Sequence, residues 1–288
     1  MKFAKATRKK CKMKLSLQGP SGSGKTYSAL LVAKGITGNL SKVAVIDTEN
    51  GSSHLYANLG AYSVLNLEAP FTPEKYIEAI QCAIAEGFEC LIIDSLSHEW
   101  FGTGGILEIH SNMQGNSFTN WSKLTPRHNA LIETIVSADI HILATLRSKT
   151  EYVIQQVNGK NVPEKVGLKS VQRDDTEYEF TVSFELNKNF MAVVSKDRTG
   201  LFKTLPELVL TEQVGKRIID WCNSDDAASR SEDVRSRILK CDSLSVLDEL
   251  YAENPELRDL FREEFASKQE DLLFINQEKF RQNGHYQH

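Results

Sequence analysis

No stretch of this 288-residue sequence approaches the roughly 20 consecutive apolar residues that cross a bilayer. The N-terminus is basic and has no apolar segment behind it, so the pattern of a secretory leader is missing. A soluble, unsecreted, non-membrane chain is expected. Cysteine is sparse: Cys11, Cys82, Cys90, Cys222 and Cys241 are odd in number and scattered, with no Cys-x-x-Cys pair and no histidine at zinc-ligand spacing. That pattern indicates neither a disulfide framework nor a structural metal. His98, His110 and His128 accompany Glu99 in mid-chain, again without a metal-binding spacing. Positive charge is not in excess either. The formal net charge of −4 argues against a uniformly basic nucleic-acid coat. Internal repeats are absent, and the only biased tract is the small polar stretch Ser224 to Arg230.

What is present begins with charge asymmetry. From Met1 to Lys14 there are seven lysines or arginines and no acid, which defines a basic arm over 1–13. Short arms of this kind either solubilise a terminus or touch phosphate, and the sequence leaves both open. Lys14 to Gln18 reads as a strand, and Thr26 to Ile36 as a helix entered through a glycine-rich turn. Val43 to Ile46, Cys90 to Ile93 and Ile140 to Thr145 are unbroken apolar runs, as in strands buried on both faces of a parallel sheet. Helices are expected between them, one opening at Thr72-Pro73 and stopping at Gly87, another opening at Thr125-Pro126. Beyond Glu151 come hairpin patterns, Tyr152 to Val157 before Asn158-Gly159, then Phe180 to Leu186 and Phe190 to Ser195 around Asn187-Lys188-Asn189. The expected fold class is α/β: a mainly parallel sheet flanked by helices over 14–223, with an antiparallel edge extension. A linker at 224–230 and a small helical tail over 231–288 should follow, with Leu239, Leu244, Leu247, Leu250, Leu257, Leu260 and Phe261 on its apolar faces.

The chemistry-bearing signal is Gly19-Pro20-Ser21-Gly22-Ser23-Gly24-Lys25-Thr26. It fits G-x-x-x-x-G-K-[ST] at every position, after a strand and before a helix. Backbone N–H groups in such a turn, together with a helix N-terminus, form a nest for phosphates. Lys25 reaches the β- and γ-phosphates of ATP in this motif and the Thr26 hydroxyl ligates Mg²⁺, with Tyr27 completing the candidate nucleotide-binding set. Leu91-Ile92-Ile93-Asp94 is an apolar strand ending in a carboxylate, the form taken by the second Mg²⁺-holding element. Ser95 stands where several P-loop classes place a catalytic Glu, so the base must lie elsewhere. Glu49, ending the strand Val45-Ile46-Asp47-Thr48, is the first candidate, and Glu99 the second.

On these residues the chain resembles the RecA-like ATPases, over about residues 12 to 222. The resemblance is strongest to small phage-encoded proteins of the Sak type, which act in recombination and single-strand annealing. It implies that Glu49 polarises the attacking water. It implies that Lys196 and Arg198, in Val194-Ser195-Lys196-Asp197-Arg198-Thr199-Gly200, reach the γ-phosphate of a neighbouring subunit, although a solvated hairpin turn would carry the same charges. Thr145 and Arg147 occupy the nucleotide-sensing position, where relatives often carry Asn-Gln. Two segments, Ser97 to Ser122 and Ser148 to Glu179, correspond to loops that enter a DNA channel in the family. The first carries Trp100, Phe101, Phe118, Trp121 and four glycines; the second carries Lys149, Lys160, Lys165, Lys169 and Arg173, diluted by Glu151, Glu164, Asp174, Asp175, Glu177 and Glu179. The implied protein is an oligomeric, DNA-dependent ATPase acting on single strands in the cytoplasm of a bacterial host. A ring helicase or loader is one alternative. Another is a nucleotide switch acting on a protein partner through the helical tail.

Overall fold

The computed structural model describes residues 11–157, 160–173, 176–254 and 257–283. The basic arm up to residue 10, the Asn158-Gly159 turn and Asp174-Asp175 lie outside them. The chain divides into two compact units, Cys11–Cys222 and a C-terminal one from Asn223 onward.

In the larger unit, β1 (Lys14–Gly19), β2 (Val43–Asp47) and β4 (Cys90–Asp94) are buried at every residue. The other strands are β3 (Ser63–Asn66), β5 (His141–Val157), β6 (Lys160–Ser170), β7 (Val182–Leu186) and β8 (Ala192–Asp197). Seven of them form a sheet in the order β3-β2-β4-β5-β1-β7-β8, and β6 pairs with β5 outside that path. All neighbours from β3 to β7 run parallel, whereas β7–β8 and β5–β6 are antiparallel. This is the expected mainly parallel α/β sheet with an antiparallel extension.

Alternation along each strand sends neighbouring side chains to opposite faces. Val43, Val45, Cys90 and Ile92 pack with Ala29, Leu30 and Ala33 of α1 (Lys25–Thr37) and with Val214 and Ile218 of α6 (Glu212–Lys240). Ala44, Ile46, Leu91 and Ile93 pack instead with Tyr76 and Ile80 of α2 (Pro73–Ala85) and with Leu131 and Ile135 of α5 (Ser117–Ser137). Each buried Val, Leu or Ile contributes about 1.5–3 kcal/mol, so the two cores hold the strand ends, and the residues beyond them, at fixed spacing.

Several expectations give way. The helix expected to open at Thr125-Pro126 begins at Ser117, where Asn116 Oδ1 accepts from Phe118 N–H (2.8 Å), and Pro126 lies inside it. The Ser97–Ser122 segment is mostly helical, through α3 (Ser97–Phe101), α4 (Ile106–Asn112) and the start of α5. Residues 224–230, expected as a linker, are helical and lie within α6. Alanine is the best helix former, and this stretch has neither Pro nor Gly to stop a helix.

In the C-terminal unit, α7 (Leu244–Glu253) and α8 (Arg262–Asn283) follow α6. Its core gathers Val234, Ile238, Cys241, Leu247, Leu250, Phe261, Phe265 and Leu272. Leu239 and Leu260, expected on the buried faces, are 67% and 63% exposed. The buried stripe is shifted by one residue in each case.

Candidate functional site

The glycine-rich turn leaves β1 at Gly19. A Cβ there would stand 2.7 Å from the Leu186 carbonyl oxygen and 2.5 Å from Ser23 Oγ, so only glycine fits. Gly22 and Gly24 hold φ values of 80° and 81°, the left-handed region open to glycine. Gly24 is the N-cap of α1, and the loop is closed by Ser23 N–H to the Pro20 carbonyl (3.2 Å). Ser21 and Gly22 face solvent, whereas Ser23 is buried and its Oγ has no hydrogen-bond partner. Lys25 folds back over the turn, Nζ donating to the Gly19 and Pro20 carbonyls, each at 2.9 Å. Burial pushes its pKa down, against the opposing charges of Asp94 and Glu49.

Three parallel strand ends surround this loop. Asp94, at the end of β4, accepts from Thr26 Oγ1 at Oδ2 (2.6 Å) and from Thr145 Oγ1, on β5, at Oδ1 (2.5 Å). Burial raises the Asp94 pKa, the two hydroxyls oppose that rise, and the charges of Glu49 and Asp47 add to it. Glu49, just beyond β2, makes a two-pronged ion pair with Arg147, Nε to Oε1 at 2.7 Å and Nη2 to Oε2. Burial would lift the Glu49 carboxyl, but the Arg147 hydrogen bonds and charge outweigh it and hold the carboxyl below its usual range. Lys25, Thr26, Tyr27, Asp94, Glu49, Thr145 and Arg147 therefore gather at one edge of the sheet. Glu99 does not join them: it is fully buried on α3, bonded to His128 Nδ1 (3.1 Å) and Gln172 Nε2 (3.3 Å).

Lys196 and Arg198 also lie elsewhere. Lys196 pairs in register with Ser183, and Ser183 with Ser16, while the Arg198 N–H bonds to the Thr181 carbonyl ahead of β7. The chain passes Ser16 before it reaches Gly19, so both cations sit toward the end of the sheet opposite the glycine-rich turn. Both donate to the Tyr178 carbonyl oxygen, Arg198 Nη2 at 3.1 Å.

The sequence reading missed Asp47. Its Oδ1 accepts the Glu49 N–H (2.7 Å) and Gly51 N–H (3.2 Å), and its Oδ2 the Ser53 N–H (2.8 Å) and Ser53 hydroxyl (2.5 Å). This buried carboxylate shapes the turn that presents Glu49. An Asp with Gly and Ser four and six residues on is the visible signal of such a turn. Thr48 was missed too: its hydroxyl accepts the Ser95 N–H (2.9 Å), tying the end of β2 to that of β4.

A family model described as an AAA domain, AAA_24, matches residues 11–230. The chain belongs to this family. No curated protein matches it. The AAA domain is a P-loop ATPase domain, and the matched span covers the whole sheet and every residue gathered at its edge. The chemistry present in this AAA domain fits a magnesium nucleotide. The Thr26 hydroxyl and the Asp94 carboxylate supply the hard oxygen donors Mg²⁺ prefers, and Ser23 Oγ is an unspent polar atom inside the phosphate nest. Among the described residues no helix is long and apolar enough to cross a membrane.

Proposed function

We propose that this AAA domain hydrolyses Mg-ATP at Gly19–Thr26 and works as an oligomer that grips single-stranded DNA, in the manner of the RecA-like, Sak-type proteins it resembles. The observation that carries the reading is the convergence of Lys25, Thr26, Asp94 and Glu49, delivered by the ends of two parallel strands and one helix N-terminus. Lys25 leaves its two carbonyl partners for the β- and γ-phosphates. Thr26 and Asp94 hold Mg²⁺, which when bound neutralises charge on the phosphates. Glu49 accepts a proton from the water that attacks the γ-phosphorus, releasing ADP and phosphate.

Arg147 explains how such a site senses its ligand. While it clamps Glu49, the carboxylate is not free to orient water; a γ-phosphate competes for the same guanidinium and releases it. Thr145 reports on the metal side through Asp94.

Lys196 and Arg198 are too far along the sheet to serve their own loop, so their use at an ATP site requires a second subunit. Their shared hold on the single Tyr178 oxygen supports the idea that both can meet one phosphate oxygen. The β5–β6 hairpin, which continues from Arg147 out of the sheet, and Phe118, 86% exposed at the start of α5, are the surfaces offered to a single strand. Trp100 and Trp121 stack on each other (5.8 Å) and are not free for bases.

ATPase rate measured with and without single-stranded DNA across protein concentration tests the proposal. Stimulation by DNA and a rise in specific activity with concentration are expected. Mixing Lys25→Ala subunits with Arg198→Ala subunits should restore turnover where an intact loop meets an intact finger. No recovery, together with concentration-independent activity, refutes the action across subunits. A rate indifferent to DNA favours a switch on protein partners; unwinding of a forked duplex favours a helicase.

A further inference from the structure

The turn between β7 and β8 places one unexplained side chain against the phosphate loop. Asn187 builds this turn, its Oδ1 accepting from Asn189 N–H (2.8 Å) and Met191 N–H (3.2 Å) and its carbonyl from Phe190 N–H (3.2 Å). The geometry leaves Phe190 at a φ of 63°, a left-handed conformation disfavoured for a bulky side chain. Gly or Asn would suit that backbone better. Burial does not compensate, because Phe190 is 57% exposed.

The ring does have one close neighbour. A Cβ on Gly24 would meet Phe190 Cδ1 at 2.9 Å and Cε1 at 3.4 Å. Gly24 directly precedes Lys25, so the ring lies on the loop at the point where it turns into α1. Tyr27 follows three residues later, a spacing that puts it on the same side of the helix start. It is 42% exposed and meets Tyr56 edge to face at 5.6 Å. Two partly exposed aromatic rings therefore border a loop whose N–H groups and lysine suit phosphate. Nothing in the phosphate nest itself holds a planar, apolar base, and an aromatic ring at its rim supplies that surface.

We propose that Phe190 is the platform on which the nucleobase of the bound triphosphate stacks, with Tyr27 beside it. The inference rests on reading Gly19–Thr26 as a nucleotide site. Stacking uses the π-face that every base has, so Phe190 selects nucleoside triphosphates over inorganic polyphosphate. It favours purines over pyrimidines through the larger stacked area, without hydrogen-bond readout of the base.

Calorimetric titration of the full chain with Mg-ATP, Mg-CTP and Mg-tripolyphosphate tests this, with circular dichroism as the check on folding. In Phe190→Ala, ATP affinity should fall roughly 5- to 150-fold, the range set by loss of one base–aromatic stack, while tripolyphosphate affinity stays as in the wild type. The preference for ATP over CTP should shrink, and Phe190→Tyr should restore it. Phe190→Gly separates stacking from strain. A platform lost to glycine weakens ATP as alanine does, whereas ATP affinity at or above wild type in Phe190→Gly would overturn the proposal. Equal weakening of ATP and tripolyphosphate would overturn it too, showing that the ring shapes the loop. Lys25→Ala must weaken both ligands. If it weakens neither, the nucleotide-site reading itself fails, a result distinct from any failure of Phe190.

Discussion

Acid should loosen the central sheet through His141, the first residue of β5. Its ring is 5% exposed, and Nδ1 accepts the Met13 main-chain N–H at 3.0 Å, which requires an unprotonated nitrogen. Burial, reinforced by the positive charges of Lys12 and Lys14, lowers its pKa from 6.5 to about 4. Below pH 6.5 the unfolded chain therefore takes up a proton that the folded chain refuses. The stability from this residue is complete above pH 6.5, is lost as pH falls through 4, and levels off below that. With those two values the loss is about 2 kcal/mol at pH 5 and about 3 kcal/mol at pH 4, a large share of the roughly 5–15 kcal/mol typical of a domain. All three tryptophans, Trp100, Trp121 and Trp221, lie in the Cys11–Cys222 unit, so their fluorescence during urea denaturation follows that unit. In His141→Asn the side-chain oxygen can still accept from Met13 but does not titrate. The variant will be less stable at pH 7 through lost ring contacts, yet its stability should change less between pH 7 and pH 4. Wild-type and variant curves running parallel over that interval would refute the reasoning.

Four further substitutions test these assignments. Lys25→Ala should lose most ATP turnover and weaken nucleotide binding, since Lys25 is the cation folded over the loop; near-normal turnover would overturn the assignment. Glu49→Gln should keep ATP binding while turnover falls on the order of 10²-fold or more, because an amide cannot take the proton. Glu99→Gln should act on stability, not chemistry, as it disturbs the buried contacts with His128 and Gln172; a selective loss of turnover there would reverse the two roles. Thr145→Val removes the hydroxyl bound to Asp94, and should raise the Mg²⁺ concentration needed for half-maximal activity while leaving Mg-free ATP affinity unchanged. An unaltered Mg²⁺ requirement counts against Thr145 as a sensor.

The readable parts were those whose causes are local. Strand, glycine turn and helix at 14–37 are set by contiguous residues, and unbroken apolar runs announced β2, β4 and the first part of β5. Asp94 and Glu49 were candidates because one ends such a run and the other lies just beyond one. What stayed hidden depends on contacts distant in sequence. Nothing near Glu99 reveals that His128 and Gln172 will enclose it, or that Arg147 will clamp Glu49 from 98 residues away. Thr125-Pro126 looks like a helix start by its own chemistry, but Asn116 caps earlier and the buried series Leu124, Leu131 and Ile135 carries the helix through the proline. The helicity of 224–230 went unread for another reason: small polar residues suit an irregular tract and a solvated helix equally well. β3 went unseen because it is a four-residue, partly exposed edge strand with no apolar run.

One consequence of β5 concerns mechanical continuity. The same unbroken strand holds His141 at its inner end, presents Thr145 and Arg147 at the sheet's edge, and then leaves the sheet to pair with β6, Ser148 opposite Ser170. Thr145 and Ser148 are three residues apart, about 10 Å of extended chain. The first irregularity in the ladder comes later, between Glu151 and Tyr152. The register shift thus falls beyond the site, not at it. Tension along the strand therefore has no slack before it reaches the hydroxyl on Asp94 and the guanidinium on Glu49.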